Sequence, residues 1–208
     1  MNYDILTAFV LATGALAITP GPDNIFVMVQ SIVHGKKYGL ATVAGLMSGC
    51  LVHTTLLALG ASAILKENET LFLVVKLFGA GYLLYLAFKV YASEAKIKLA
   101  DSSTAKKSVW GLFKTGFLMN VLNPKVTLFF LALFPGFLFS DAMGRVAQFY
   151  VLGFLFIAVS FLIFGSIALM AGQLKGFITK NQHAAVFFKW MQIFVFLAIA
   201  VYLLLSDK

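Results

Sequence analysis

Long apolar stretches alternate with short polar ones along the whole chain. An α-helix needs about 20 apolar residues to cross a hydrocarbon core of about 30 Å. Six stretches reach or exceed that length. The pattern therefore predicts six transmembrane helices, at 4–33, 39–65, 70–92, 111–139, 146–172 and 186–205.

The first apolar stretch is interrupted by the hexapeptide TPGPDN at 19–24. Its two prolines remove backbone donors and break a helix, and an aspartate at mid-membrane costs about 2.5 to 3.5 kcal/mol on insertion scales. Irregular backbone at that depth is tolerated where it is buried in protein or lines a cavity. An ionisable residue there indicates a functional site.

A second break, NVLNPK at 120–125, interrupts the fourth stretch at a similar depth. Each half of the chain has three spans, and an odd number makes the halves insert with opposite topology. Paired breaks in corresponding helices mark the binding sites of inverted-repeat transporters. We therefore expect an all-α membrane protein built from two inverted three-helix repeats, with broken first and fourth helices. The alternative is that the prolines only kink packed helices.

The longest polar stretch, at 93–110, separates the two halves. It combines acidic residues, lysines, serines and a threonine, which are typical of a linker. The sequence thus predicts one membrane domain over 1–208, with repeat 1 at about 1–92, a cytoplasmic linker at 93–110 and repeat 2 at about 111–208.

Composition and charge agree with a membrane protein. Hydrophobic residues make up 61% of the chain and charged residues 12%, against about 25% charged in soluble domains. The net charge of +8 comes from lysines between the spans, so it indicates orientation and not nucleic-acid binding. Eleven lysines fall on one side of the predicted helices, and two lysines and one arginine on the other. The positive-inside rule makes the eleven cytoplasmic and places both termini outside.

Each break has the residues of a helix restart. Asn123 can cap the exposed amides and Pro124 fits the first helical position, and Thr19 with Pro20 can act in the same way. A restart leaves N–H groups and a positive dipole end inside the protein, an arrangement that receives a substrate carboxylate in transporters with broken helices.

Asp23 and Lys125 are the charges predicted near mid-depth, one from each half, and we expect them to pair. Asp23 either only caps the second half-helix or also carries a proton or holds a substrate ammonium. Val27, Gln30 and His34 continue from it on one helical face toward the cytoplasm. That face is either a hydrated path or a polar packing stripe.

Small residues in the second span, including Gly45 and Gly49, recur every fourth position and permit close helix approach. Packing within the chain is the expected use, and the seam of a homodimer is the alternative. His53 lies on the same face, where we expect a hydrogen-bonded packing role.

Other chemistry is not indicated. Cys50 stands alone, and the chain has no metal-ligand spacing, nucleotide loop or serine-histidine dyad. We therefore expect neither a cofactor nor a metal site, and no enzymatic activity. Phe129, Phe130 and Phe134 follow the second break closely enough to wall a pocket.

Three segments carry a family resemblance: TPGPDNIFV in the first span, HGKKYG in the following turn, and NPKVTLFF in the fourth span. They closely resemble the lysine exporter superfamily (LysE/RhtB type) of bacterial amino-acid efflux proteins, over essentially the whole chain. The resemblance implies a multi-pass protein of the bacterial inner membrane that exports amino acids or close derivatives, driven by proton antiport. Its partners would be the amino acid, protons and membrane lipid.

The family's motifs match this chain at Pro20, Gly21, Pro22, Asp23, Asn123, Pro124 and Lys125. With Asn24, these residues form the predicted substrate site, and Asp23 is the predicted proton-coupling residue. The resemblance leaves the particular amino acid open. The sequence also leaves open an importer or facilitator, and the export of another small ion.

Overall fold

A computed structural model describes residues 1–19, 21–61, 69–93, 108–173 and 182–205. Within helices it leaves out the side chains of 61, 69–72, 75, 76, 124, 125, 128, 132 and 182–185. Over the described ranges, every regular element is helical. The helices are α1 (Tyr3–Ile18), α2 (Pro22–His34), α3 (Lys36–Leu56), α4 (Glu69–Ala92), α5 (Val109–Val121), α6 (Pro124–Leu133), α7 (Arg145–Leu169) and α8 (Gln182–Leu205).

Both predicted breaks are present. The first apolar stretch folds as α1 and α2, which are bent by 59° to each other, and the fourth folds as α5 and α6. Among the differences between predicted and observed helix boundaries, two have a clear cause in the backbone. Gly35, with φ of 100°, turns the chain so sharply that α3 begins at Lys36, three residues before the predicted start at 39. Pro135 has no N–H to donate, and α6 gives way to a 3₁₀ turn at Phe134–Phe137, short of the predicted end at 139.

A π-helical turn at Leu57–Ala61 continues α3. In the described part of the chain, three continuous helices are long and apolar enough to cross a membrane, namely Lys36–Gly60, Arg145–Leu169 and Val186–Leu205. The bent pair of α1 and α2 forms a fourth candidate span. Within α4, the segment Leu77–Ala92 is a shorter apolar stretch.

Helices α3 and α5 run side by side in very close contact. A Cβ added to Gly45 would collide with the carbonyl oxygen of Phe113, and one added to Gly116 would collide with that of Thr42. The prediction that the small residues of the second span serve packing within the chain is thus confirmed. Further contacts join α3 with α7, α4 with α8, α2 with α3 and α1 with α7.

An aromatic core fills the space between α1 and α6. Phe130 and Phe134 are stacked with their ring centroids 4.4 Å apart, and Phe9 meets Phe134 edge-on at 5.2 Å. All three side chains are almost fully buried. This core packs α6 and the 3₁₀ turn that follows it against α1.

At one end of the bundle, the amide of Asn2 donates to the carbonyl of Phe139 over 2.8 Å. The adjoining loop is held by the buried amide of Gln148. Its Oε1 accepts from the amides of Phe139 and Ser140, and its Nε2 donates to the carbonyls of Ser140 and Met143. The N-terminus and this loop therefore share one end of the molecule.

Residues 94–107 of the predicted linker lie outside the described residues. The residues at its two edges, 93 and 108–110, are described. Lys189 Nζ donates to the carbonyl of Ser93 over 2.7 Å, which places the end of α4 beside α8. Ser108 Oγ accepts from the amide of Gly111 and caps α5, so α5 begins within the range predicted as linker.

Candidate functional site

At the first break, three of the last four carbonyls of α1 accept hydrogen bonds from residues of the break. Thr19 donates its amide to Ala15 and Leu16 and its hydroxyl to Ala15, and Asn24 Nδ2 reaches back to the carbonyl of Ala17 over 2.8 Å. Breaking a helix leaves its last carbonyls without partners, and these bonds supply partners from within the break itself. Asn24 thereby ties the start of α2 to the end of α1.

The helix restart lies two residues later than predicted. Thr19 closes α1, and α2 begins at Pro22 with Gly21 as its N-cap residue in extended conformation. Proline is well suited to this first helical position. Gly21 supplies no side-chain cap, so the first turn of α2 presents backbone N–H groups at the break. The predicted restart at Thr19 and Pro20 is thus wrong for Thr19, and Pro20 lies outside the described residues.

The second break restarts at the predicted residue. Helix α6 begins at Pro124, and the carbonyl of Asn123 accepts from the amides of Val126 and Thr127 at 3.0 and 3.2 Å. The carbonyl of Asn120 accepts from the amide of Asn123 and from Nε2 of His53, each over 3.1 Å.

Because a carbonyl only accepts, this bond assigns the Nε2–H tautomer to His53, and it confirms the predicted hydrogen-bonded packing role.

The two breaks are joined by a hydrogen bond. Asn123 Nδ2 donates to Asp23 Oδ2 over 3.4 Å, across a separation of 100 residues in the chain. Both side chains are half-buried. The predicted partner of Asp23, the side chain of Lys125, lies outside the described residues, and that ion pair stays a prediction.

A cavity of about 80 Å³ lies where the breaks meet. Of the predicted site residues, it is lined by Gly21, Pro22, Asp23, Asn24 and Asn123. The side chains of Pro124 and Lys125 fall outside the description, as does Pro20. The other lining residues are Leu16, Ala17, Thr19, Leu46, Met47, Cys50, Asn120, Val126, Phe129, Phe156, Ser160 and Phe164.

The aromatic wall of the cavity differs from prediction. Phe129 lines it as expected, whereas Phe130 and Phe134 do not and lie in the aromatic core. Successive residues of a helix point about 100° apart, so Phe129 and Phe130 face different surroundings. The rest of the wall comes from Phe156 and Phe164 of α7, which sequence reasoning missed.

Ser160 of α7 and Cys50 of α3 also line the cavity without having been predicted to do so. The local signal for Ser160 was its position as a lone hydroxyl in an apolar run, with a phenylalanine four residues away on each side. That pattern does not reveal which part of the chain packs against the serine.

The face that continues from Asp23 is buried and does not line the cavity. Val27 is fully buried in a hydrophobic cluster that includes Val43 and Leu46, and Gln30, one turn further along α2, is also buried. His34 is half-buried near the end of α2, where its ring lies 5.7 Å from that of Tyr38. In this structure the face is a packed one, in agreement with the packing stripe of the two predicted alternatives.

Broken helices whose ends meet at a cavity are typical of many secondary transporters. The family comparison agrees, because a model of the LysE type translocator family matches residues 14–207. The chain belongs to this family of transporters and is not an enzyme.

Similar proteins include the homoserine/homoserine lactone efflux proteins of Salmonella typhimurium and Salmonella typhi. Each is 29% identical over 178 residues, covering 86% of this chain and 85% of the relative. An uncharacterised membrane protein of Bacillus subtilis, YrhP, is 30% identical over 151 residues, covering 69% of this chain and 71% of the relative. No solved structure matches the chain.

Proposed function

We propose that the protein is a secondary active exporter of small amino acids or close derivatives across the bacterial inner membrane, working by proton antiport. The observation that carries this proposal is the meeting of two helix breaks, 100 residues apart in the chain, at one cavity with Asp23 bonded to Asn123. Family membership supports transport, and the relatives' names support an amino-acid substrate.

The substrate's two charged groups have matching partners in the cavity. The first turn of α2 presents N–H groups and the positive end of the helix dipole, which suit a carboxylate. Asp23 Oδ2 suits an ammonium group. The proposed substrate site comprises Pro20, Gly21, Pro22, Asp23, Asn24, Asn123, Pro124 and Lys125.

The size of the cavity supports a small substrate. One water needs about 10 to 15 Å³ of such space, so 80 Å³ holds roughly five to eight waters. Homoserine has eight non-hydrogen atoms and is of that size, whereas a bulky aromatic amino acid would require the cavity to expand.

We further propose six spans arranged as two inverted repeats, the α1–α2 and α5–α6 pairs being the equivalent broken spans. The helix contacts support this arrangement. The first half-helix of each broken span packs on the middle span of the other repeat, α5 on α3 and α1 on α7. Equivalent spans also pair with each other, α3 with α7 and α4 with α8. Rocking of one repeat against the other would open the cavity to each side in turn.

Growth of an overexpressing strain on toxic amino acids and their analogues, with intracellular pools measured, tests the proposal. Export predicts resistance with falling pools of the substrate. Sensitisation with rising pools would identify an importer. Pools unaffected by overexpression for every amino acid on the panel would overturn amino-acid transport.

A further inference from the structure

Ser160 is a buried hydroxyl without a hydrogen bond in the described structure. Its side chain is 2% exposed, it lines the cavity, and its Oγ has no partner among the described residues. Helical serines commonly bond back to the carbonyl four residues earlier. Ser48 and Ser166 do so in this chain, over 2.8 and 2.7 Å. Ser160 does not make this bond, and it lies where α7 lines the cavity.

Asn120 of α5 also lines the cavity and carries a second such atom. Its side chain is 4% exposed, and its Nδ2 donates to Cys50 Sγ over 3.4 Å. This bond leaves Oδ1 as the acceptor, and Oδ1 has no hydrogen-bond partner in the part of the chain described. Close packing on Gly49 holds the side chain in place, since a Cβ at Gly49 would lie 2.6 Å from Oδ1.

Buried polar atoms without partners destabilise a fold, so atoms of this kind at a binding cavity are suited to a ligand that completes their bonding. Ser160 has Phe156 one turn before it and Phe164 one turn after it, and both rings line the cavity. The wall from α7 is thus apolar with a single hydroxyl at its centre.

We propose that Ser160 and Asn120 form the subsite for the substrate's side chain and bind a hydroxyl or a similar hydrogen-bonding group on it. This inference rests on the proposed amino-acid transport. The carboxylate and ammonium groups of the substrate lie at the first helix break, beside the first turn of α2 and Asp23, and its side chain points toward α7. Phe156 and Phe164 limit the width of the accepted side chain.

The consequence is selectivity between substrates of nearly the same shape. A purely apolar pocket cannot strongly distinguish a side chain with a hydroxyl from one without it, whereas a pocket with hydrogen-bonding groups rejects the analogue that leaves them unpaired. Homoserine and 2-aminobutyrate differ by one hydroxyl and are the matched probes.

Counterflow in proteoliposomes tests the subsite. Unlabelled homoserine and unlabelled 2-aminobutyrate each compete with labelled homoserine, and in a second series with labelled 2-aminobutyrate. The ratio of the competitor concentrations that halve uptake gives the preference. We expect wild type to prefer homoserine, and Ser160→Ala to reduce that preference by roughly tenfold, the value of one hydrogen bond, while 2-aminobutyrate is still transported. Ser166→Ala is the matched control, because Ser166 lies on the same helix, is exposed and bonds to Leu162. It should keep the wild-type preference.

Ser160→Cys, which nearly preserves the side-chain volume, is a second variant and should also lose preference. An unchanged preference in both Ser160 variants would overturn the subsite alone, and so would a loss of transport that affects both probes equally. Wild type that moves no amino acid at all would overturn the proposed function and the subsite with it.

Discussion

At the scale of single residues, Asp23 combines two roles that a side chain at a helix start can fill. Its position in the first turn of α2 places a carboxylate at the positive end of the helix dipole, and its Oδ2 accepts from Asn123 in the other break. Protonation of Asp23 would weaken both interactions. It would therefore change how firmly the two breaks are held together.

Asp23→Asn should abolish net uphill export driven by a pH gradient while leaving exchange of substrate for substrate. The amide keeps the size of the side chain and much of its capping ability, but it cannot take up a proton at the site. The measurement is substrate movement in proteoliposomes with and without an imposed pH gradient.

Asp4→Asn is the control for that experiment, since Asp4 is an exposed acid in the first turn of α1. It should behave as wild type. A pH-driven rate in Asp23→Asn equal to that of wild type would reduce Asp23 to a helix cap and move coupling elsewhere, with Gln30 and His34 the next residues to test.

At the scale of the elements, the site depends on the contact between α3 and α5. Gly49 has no side chain where the Cβ and Oδ1 of Asn120 approach it, and Cys50 and His53 bond to the same asparagine. Helix α3 therefore positions Asn120, the first residue of the second break. The close packing of Gly49 on Asn120 therefore holds a residue that lines the cavity.

Gly49→Ala should destabilise the protein by about 1 to 3 kcal/mol, the usual cost of overpacking. The new Cβ would lie 2.6 Å from Asn120 Oδ1 and 2.7 Å from its Cβ, so α5 would have to move. Thermal unfolding in detergent, followed by size-exclusion chromatography, measures the effect, and transport should fall as well.

Gly81→Ala provides a matched helical glycine in α4, where an added Cβ would meet no atom within 4 Å in the described structure. It should be neutral or raise the melting temperature, because alanine favours a helix over glycine by up to about 1 kcal/mol. Equal melting temperatures for the two variants would contradict the account of α3 and α5.

At the scale of the whole molecule, the distribution of basic residues predicts the orientation in the membrane. With eleven of the basic residues predicted on one side, the linker at 93–110 should be cytoplasmic and both termini outside. The bond between Asn2 and Phe139 places the N-terminus at the same end as the loop that follows α6. That loop and the N-terminus are therefore expected on the same side of the membrane.

Ser102→Cys, at a position outside the described residues, should resist impermeant thiol reagents in intact cells. Ala142→Cys, on an exposed residue of the loop after α6, should react readily. Both belong in a Cys50→Ser background, which keeps an acceptor for Asn120. Labelling with the opposite preference would invert the orientation.

The charge balance of the cavity bears on the choice of substrate. Asp23 is the one carboxylate among the described residues that line it. Lysine and arginine each carry two cationic groups, so one of them would lack a carboxylate partner, whereas a neutral amino acid needs a single partner. Counterflow should rank neutral amino acids above lysine and arginine, and a ranking with lysine first would contradict this expectation.

Sequence reasoning located both helix breaks because proline and glycine act on the backbone next to them. It also selected Gly21, Pro22, Asp23, Asn24 and Asn123, which the fold brings to one cavity. The all-helical architecture followed from the length and hydropathy of the apolar stretches. These are local properties, so the chain alone determines them.

Tertiary structure decided what depends on contacts between distant segments. The bond that joins the two breaks, from Asn123 to Asp23, connects residues 100 positions apart, and neither break by itself reveals it. The assignment of Phe129 to the cavity and of Phe130 to the core required the packing of α6. Ser160 became part of the site only when α7 was placed against the two breaks, because a hydroxyl in an apolar helix has the same local sequence whether it faces a cavity or a neighbouring helix.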